Sequence, residues 1–261
     1  MRSTMKSSAL LAVLALATAG FATPSAAQTL DEILDQHFAA IGGKEKLAAV
    51  QSAKLTGKQQ FGPQEAPFSI QWKRPNKIRI EFSLQGLTGI QAYDGAAAWQ
   101  VMPFLGKNDP EAVTGDDLKG MEEQADLIEG PMFNWKEKGN TVELVGKEPV
   151  EGTDAWRLKV TKKNGDVTHV WLDAESMLEI KSEGKRKRGD QEFEFESSLG
   201  DYKEVDGLVF AHSIEQKPKG APAGATITVE KIELGIAIDD AIFAMPAPKA
   251  EAKPEEKPAG N

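Results

Sequence analysis

The sequence contains no cysteine, only three histidines, and a single long apolar run, at its N-terminus. The absence of cysteine excludes disulfide bonds, thiol nucleophiles and the attachment of lipid to an N-terminal cysteine. The histidines, His37, His169 and His212, are far apart and show no HExxH or other metal-ligand spacing. Half-buried histidines with satisfied hydrogen bonds explain them better than catalysis or zinc binding.

Catalytic and cofactor motifs are also missing. The sequence has no GxSxG nucleophile elbow and no Walker phosphate loop. Gly42-Gly43-Lys44 follows a helical pattern and lacks the upstream glycine of a phosphate loop. The Asp-Gly pairs at 94–95 and 206–207 are more simply turn formers than calcium ligands. We therefore expect a protein that is not an enzyme and that binds no metal or cofactor.

The charge balance is acidic, with 31 Lys and Arg against 40 Asp and Glu and a net charge of −9. This balance argues against general nucleic-acid binding, because such binding neutralises phosphates. One basic run, Lys185-Arg186-Lys187-Arg188, precedes Gly189-Asp190 and is predicted to form a hairpin turn. A solvated turn is the simpler interpretation, and a contact with lipid headgroups or an acidic docking partner is the functional alternative.

Residues 1–27 are predicted to be a secretory signal peptide. Arg2 and Lys6 precede the apolar run, and Ser25-Ala26-Ala27 supplies the small residues of a cleavage site after Ala27. We therefore expect a soluble periplasmic protein, since no other run is long and apolar enough to span a bilayer. Residues 28–246 fit one domain, and residues 247–261, built mostly from Pro, Ala, Lys and Glu, are predicted to be disordered.

Alternation of apolar and polar residues with period two organises most of the domain. It is clearest at 155–161 and 167–172, which flank the turn at Asn164-Gly165 and indicate an antiparallel hairpin. The same alternation begins at Leu55 and recurs as far as Ile238. It predicts about ten or eleven antiparallel strands.

Two helical patterns interrupt the strands. Thr29 and Glu32 form a capping box before a helix that ends at Gly42-Gly43, and a second helix begins after Thr114 and ends at Gly130-Pro131. Sheets this broad curl. The fold expected is therefore mainly β: a curled antiparallel sheet that forms an open half-barrel with a helical lid. A two-sheet sandwich is the competing arrangement.

Several turn and strand motifs together resemble one known family. They are Lys73-Arg74-Pro75-Asn76-Lys77-Ile78-Arg79, Tyr93-Asp94-Gly95 followed by Trp99, Asp201-Tyr202, Val205-Asp206-Gly207-Leu208, Ala40-Ile41-Gly42-Gly43 and Phe243-Ala244-Met245-Pro246. The sequence resembles the LolA-like superfamily of periplasmic proteins, usually described as outer-membrane lipoprotein-sorting proteins. The resemblance spans nearly the whole predicted mature chain. It implies an open, curled sheet with a helical lid and an apolar cavity that holds acyl chains.

The resemblance favours the apolar strand face as a cavity wall, although an ordinary sheet core would show the same alternation. The expected lining residues are Phe68, Ile70, Trp72, Ile80, Phe82, Trp99, Val101, Trp156, Leu158, Trp171 and Phe195. The expected lid residues are Leu34, Phe38, Leu118, Met121, Ile128 and Phe133.

The function expected is a soluble periplasmic carrier that binds lipid or lipoprotein acyl chains during transport toward the outer membrane. Its other partners would be membrane headgroups or a donor or acceptor membrane protein, met transiently. The alternative is a sensory or regulatory module that uses the same cavity to detect envelope stress. Such regulators usually add a second domain, and the tail predicted here is a short disordered one, which favours the carrier.

Overall fold

The computed structural model describes residues 28–188 and 191–247. The predicted signal peptide, residues 1–27, and residues 248–261 of the predicted tail lie outside the described residues. No helix within the described ranges has the length and apolar character needed to cross a bilayer.

The described chain forms helices at the start and in the middle of a long series of strands. The helices are α1 (Leu30–Ala40), α2 (Lys44–Ala49) and α3 (Gly115–Gln124), with short 3-10 helices at Pro103–Leu105 and Asp240–Ile242. The strands are β1 (Ser52–Phe61), β2 (Gln64–Lys73), β3 (Lys77–Leu84), β4 (Leu87–Tyr93), β5 (Ala98–Met102), β6 (Lys107–Val113), β7 (Thr141–Val150), β8 (Thr153–Thr161), β9 (Val167–Asp173), β10 (Glu179–Arg188), β11 (Gln191–Val205), β12 (Leu208–Pro218) and β13 (Ala225–Leu234).

All of these strands belong to one antiparallel sheet, in the order β6-β5-β4-β3-β2-β1-β13-β12-β11-β10-β9-β8-β7. Each half is a meander of sequential hairpins, and the two halves are joined by the pairing of β1 with β13. The sheet is curled and unclosed, so the predicted open half-barrel is confirmed and the sandwich is not formed. The 13 strands described exceed the ten or eleven predicted.

One strand that alternation did not predict is β6, whose sequence Lys-Asn-Asp-Pro-Glu-Ala-Val shows no apolar alternation. It is an edge of the sheet, where a proline such as Pro110 is tolerated because one side of the strand has no ladder partner. The other edge, β7, also contains a proline, Pro149, and each edge strand pairs through a bulge. Prolines, charges and bulges together make these edges poor templates for another strand.

The capping box predicted for α1 is present. The Thr29 hydroxyl accepts a hydrogen bond from the Glu32 amide at 3.3 Å, and the Glu32 carboxylate accepts one from the Thr29 amide at 2.8 Å. The helix turns Ile33, Leu34 and Phe38 toward the sheet, where all three are buried. We call the face of the sheet that α1 covers the inner face, and the opposite face the outer face.

The C-terminal segment, residues 235–247, crosses the outer face. The carbonyl oxygen of Ile242 accepts a hydrogen bond from Arg79 Nη1 at 2.9 Å. The carbonyl oxygen of Phe243 accepts one from Trp99 Nε1 at 2.8 Å. The Phe243 side chain is fully buried, with 0 % of its surface exposed. This segment therefore acts as a strap that seals the outer side of β3 to β5.

Replacing Phe243 by Ala should destabilise the fold by about 3–5 kcal/mol, because it empties a fully buried aromatic site. Urea unfolding followed by tryptophan fluorescence measures the loss. The matched control is Met245→Ala in the same strap, which should change stability little because that side chain is 46 % exposed. Equal stability of the two variants would show that the strap does not hold the outer face.

Candidate functional site

Part of the inner face is closed by helices. The main apolar cluster joins α1 and the segment after α3 to strands of both halves of the sheet. Four of the expected lid residues, Leu34, Phe38, Ile128 and Phe133, belong to it. The other two, Leu118 and Met121 of α3, pack in a second cluster with β3 to β6. The helices thus fill this part of the concavity.

Some expected lining residues are sealed beneath these helices. Trp72 is 1 % exposed, and its indole Nε1 donates to the carbonyl of Ala125 at 2.7 Å. Leu158 is 0 % exposed in the main cluster. Trp156 lies at the edge of that cluster, partly buried, with Lys147 Nζ 5.7 Å from its ring centre. Trp72 and Leu158 therefore contact a ligand only if the helices move.

Three expected lining residues lie on the outer face, so their assignment to the cavity was wrong. The register aligns Trp99 with Ala92 and Arg79, and Val101 with Ile90, opposite in phase to Trp72 and Ile78. Trp171 is likewise out of phase with Leu172 and the inner face. Its Nε1 donates to the Glu148 carboxylate at 2.7 Å. Alternation with period two assigns the residues of a strand to two faces of the sheet. It does not show which face is the inner one when both faces carry apolar residues.

The remaining expected lining residues lie on the inner face and are partly exposed. Phe68 pairs with Phe82 and Ile70 with Ile80, and Phe195 occupies the same face of β11. Each phenylalanine lies across from a glycine, in the pairs Gly57–Phe68, Gly89–Phe82 and Gly184–Phe195. A Cβ atom on Gly89 or Gly184 would come within 2.9 or 2.8 Å of the opposing ring. The glycines let the rings lie over the neighbouring strand rather than project into the concavity.

An open groove of about 1230 Å³ remains on the inner face, between α3 and the ends of β1 and β11 to β13. Its apolar wall residues include Phe61, Met102, Leu105, Val113, Met121, Phe193 and Phe195. Five glutamines, Gln59, Gln91, Gln100, Gln124 and Gln216, also face it. Of the expected lining and lid residues, only Phe195 and Met121 line this groove directly. Its surface is amphipathic rather than uniformly apolar.

The glutamines are the site residues that sequence reasoning missed. Gln91 and Gln100 share a cross-strand row with Ile70 and Ile80, so they occupy positions where apolar side chains were sought. A polar residue in phase with the apolar face of a strand was the available signal. Such a polar residue indicates a ligand site only when the sheet is known to enclose a space.

The basic run at 185–188 is not a turn, which corrects the prediction. Residues Lys185 to Arg188 form the end of β10 and pair with Gln191 to Glu194 of β11. The Lys185 ammonium lies 2.8 Å from a carboxylate oxygen of Glu192 and 3.0 Å from one of Glu194. These carboxylates compete with any external anion for Lys185.

The histidines do not converge. His37 and His212 are buried, and their Nδ1 atoms donate to the carbonyls of Met177 and Val229 at 2.8 and 2.7 Å. Burial lowers the pKa of His37 and of His169. His212 Nε2 has no hydrogen-bond partner among the described residues. In the described part of the chain, no three His, Asp or Glu side chains are grouped to hold a metal ion.

A smaller cavity of about 220 Å³ adjoins the groove, beneath the segment from Glu123 to Met132. The two spaces share Phe195 and Gln216 as walls. Glu179, Ser182 and Ser197 are among the residues that line the smaller one. Burial raises the pKa of Glu179 to about 7, against the opposing effect of a hydrogen bond from Ser182. Glu179 is thus a carboxyl group that gains and loses its proton near neutral pH.

This group should make stability depend on pH. The pKa of Glu179 rises from 4.5 to about 7 on folding. Its stabilising contribution to the free energy of unfolding is therefore fully present below pH 4.5 and is lost as the pH rises through 7. Glu179→Gln removes that titration. The stability of the variant relative to wild type should therefore increase from pH 5 to pH 8, by up to about 3 kcal/mol.

Urea unfolding at both pH values measures this difference. Glu175→Gln, at an exposed carboxylate in the preceding turn, is the control and should follow the wild type. Glu123, Lys162 and Asp166 also line the cavity and are the same in all three proteins. Parallel curves for wild type and Glu179→Gln would contradict the assignment.

Comparisons with known proteins agree with this architecture. No protein-family model and no curated protein sequence matches the chain. Among solved structures, an outer-membrane lipoprotein-sorting protein domain from Vibrio parahaemolyticus is similar at 15 % identity and a TM-score of 0.55, over 81 % of this chain and 94 % of that one. A DUF1329 family protein from Desulfovibrio piger has 13 % identity and a TM-score of 0.55 over 82 % and 96 % of the two chains. A LolA superfamily protein from Nitrosomonas europaea has 13 % identity and a TM-score of 0.56 over 84 % and 98 %. The chain therefore has a LolA-like fold.

Proposed function

We propose that this protein is a soluble periplasmic carrier that binds the acyl chains of a lipid or lipoprotein on the inner face of its sheet. The observation that carries the proposal is the open groove of about 1230 Å³, which apolar, amide and charged residues line together. Ligand sites commonly enclose roughly 300–1,000 Å³. A space above that range fits a large amphiphile better than a small polar metabolite.

The energetics favour such a cargo. Each methylene removed from water contributes about 0.8 kcal/mol, so a chain of about 15 methylenes gains on the order of 12 kcal/mol before ordering costs. The partly exposed side chains of Phe68, Ile80 and Phe82 leave apolar surface in the concavity for this purpose. The glutamine amides offer hydrogen bonds to the ester or amide groups that link acyl chains to a head.

The helix α3 is suited to act as the lid. Its C-terminal end is held by the hydrogen bond from Trp72 to Ala125 and by the ion pair between Lys162 and Glu123 at 2.8 Å. Its N-terminal half, residues 115–119, lines the groove through Asp116 and Asp117, and a side chain at Gly120, the next residue, would meet open space. Displacement of this half about its fixed end would widen the groove while the core beneath Trp72 stays packed.

The rim of the groove is where cargo would enter. Phe61, Leu105 and Phe193 line the groove and are 48 %, 68 % and 48 % exposed. They come from three separate elements around the opening. In the proposed cycle this rim meets the donor and the acceptor membrane, so that acyl chains pass without crossing water.

Titration with a fluorescent fatty-acid probe tests the proposal. Wild-type protein should bind the probe, and Phe195→Gln should weaken binding at least tenfold, because it places a polar group in a wall that the acyl chain contacts. The matched control is Val101→Gln, a partly buried apolar site on the outer face. It should bind as the wild type does.

Thermal melts of both variants separate loss of binding from loss of fold. Equal weakening by Phe195→Gln and Val101→Gln would show that the groove is not the acyl site. A wild type that takes up no probe would refute the carrier function itself.

A further inference from the structure

The smaller cavity contains a carboxyl group, that of Glu179, for which the described residues supply no cationic partner. Glu179 forms no ion pair with any side chain that the structure describes, although two lysines line the same cavity. Lys162 is paired with Glu123 at 2.8 Å, and Lys185 with Glu192 at 2.8 Å. The described cations around Glu179 are thus neutralised by other carboxylates, and its own charge is not.

The other polar side chains that line the cavity are divided equally between charged groups, Glu123, Lys162, Asp166 and Lys185, and neutral ones, Thr168, Ser182, Ser197 and Gln216. Ser182, Thr168 and Ser197 contribute three hydroxyl groups to its lining. The Gln216 amide nitrogen lies 3.5 Å from the Ser197 hydroxyl, which leaves its carbonyl oxygen able to accept elsewhere. The Glu179 carboxylate and several neutral oxygen acceptors therefore face a single small space, which the carboxylates of Glu123 and Asp166 also line.

This set of groups matches a primary ammonium ion. An ionised carboxylate in a buried site is costly unless a cation compensates it. A primary ammonium brings one positive charge and three N–H donors, which one carboxylate and neighbouring neutral oxygens can satisfy together. A quaternary ammonium has no N–H donor and is recognised by several aromatic faces. Phe195 is the only aromatic residue lining this cavity in the described chain.

The position of the cavity indicates what would carry the ammonium. It opens beside the groove and shares Phe195 and Gln216 with it. A volume of about 220 Å³ holds a small headgroup but not an acyl chain as well. We propose that this cavity, through Glu179 and its hydroxyl neighbours, binds the primary ammonium headgroup of an amphiphile whose acyl chains occupy the groove. The inference rests on the proposed carrier function and assigns its ligand class.

Proton exchange at Glu179 is consistent with this role. In the empty cavity burial raises the pKa of the carboxyl to about 7, so the neutral form is accessible near neutral pH. An ammonium held against the carboxylate lowers that pKa again, because an opposite charge favours the ionised form. Binding of the headgroup is therefore coupled to release of the Glu179 proton.

The test is displacement of a fluorescent fatty-acid probe by three lysophospholipids of equal chain length. Their headgroups are ethanolamine, a primary ammonium; choline, a quaternary ammonium; and glycerol, which has no cation. Wild-type protein should bind the ethanolamine lipid at least tenfold more tightly than the other two. Glu179→Gln should remove this preference and leave affinity for the probe unchanged, and Glu175→Gln, at an exposed carboxylate, should retain it.

The outcomes distinguish this inference from the carrier function. Probe binding without a headgroup preference, or a preference that survives Glu179→Gln, would overturn the ammonium site and leave the carrier intact. If no acyl probe binds, thermal shifts with free ethanolamine decide the remaining case. Stabilisation of wild type but not of Glu179→Gln would assign the site to a soluble amine, and no stabilisation of either would overturn it.

Discussion

The pairing of β1 with β13 is the constraint on which the rest of the structure depends. Their ladder runs from Ala53 opposite Leu234 to Phe61 opposite Ala225 and joins two meanders that otherwise share no strand pairing. The main apolar cluster draws on both meanders, and the groove has walls from both. Without this ladder neither the helix-covered core nor the open space beside it would be assembled. It links residues nearly at opposite ends of the described chain, so most of the domain must be present before it forms.

Sequence patterns predicted the elements better than the site. Alternation located most strands, and the capping box of Thr29 and Glu32 placed the start of α1, because both signals are local. Alternation did not identify which face was inner, so Trp99 and Trp171 were assigned to the wrong side. Their indole groups bond to Phe243 and Glu148, and neither contact has a local signature. That no described side chain forms an ion pair with Glu179 is likewise visible only when the surrounding side chains are in place.

The residues of the motifs that carry the family resemblance form turns and close contacts of the backbone. Gly42 has a φ of +108°, and a Cβ atom there would lie 2.2 Å from the carbonyl oxygen of Gly207, so a side chain at position 42 would collide with the Asp-Gly turn. The carboxylate of Asp94 accepts hydrogen bonds from the amides of its own turn, and Phe243 anchors the strap. None of these positions lines the groove. They specify the fold and leave the ligand to be set by other residues.

The blunted edges at β6 and β7 have a consequence for the size of the space that the sheet encloses. A closed barrel has a circumference fixed by its strand number and shear. An unclosed sheet of 13 strands has no such limit, since its curvature follows from the twist between neighbours and can change while every ladder bond is kept. Because Pro110 and Pro149 keep the free edges from recruiting further strands, this freedom is retained in a single chain. The distance between the two halves is therefore not fixed by closure of the sheet, and the width of the space between them can vary.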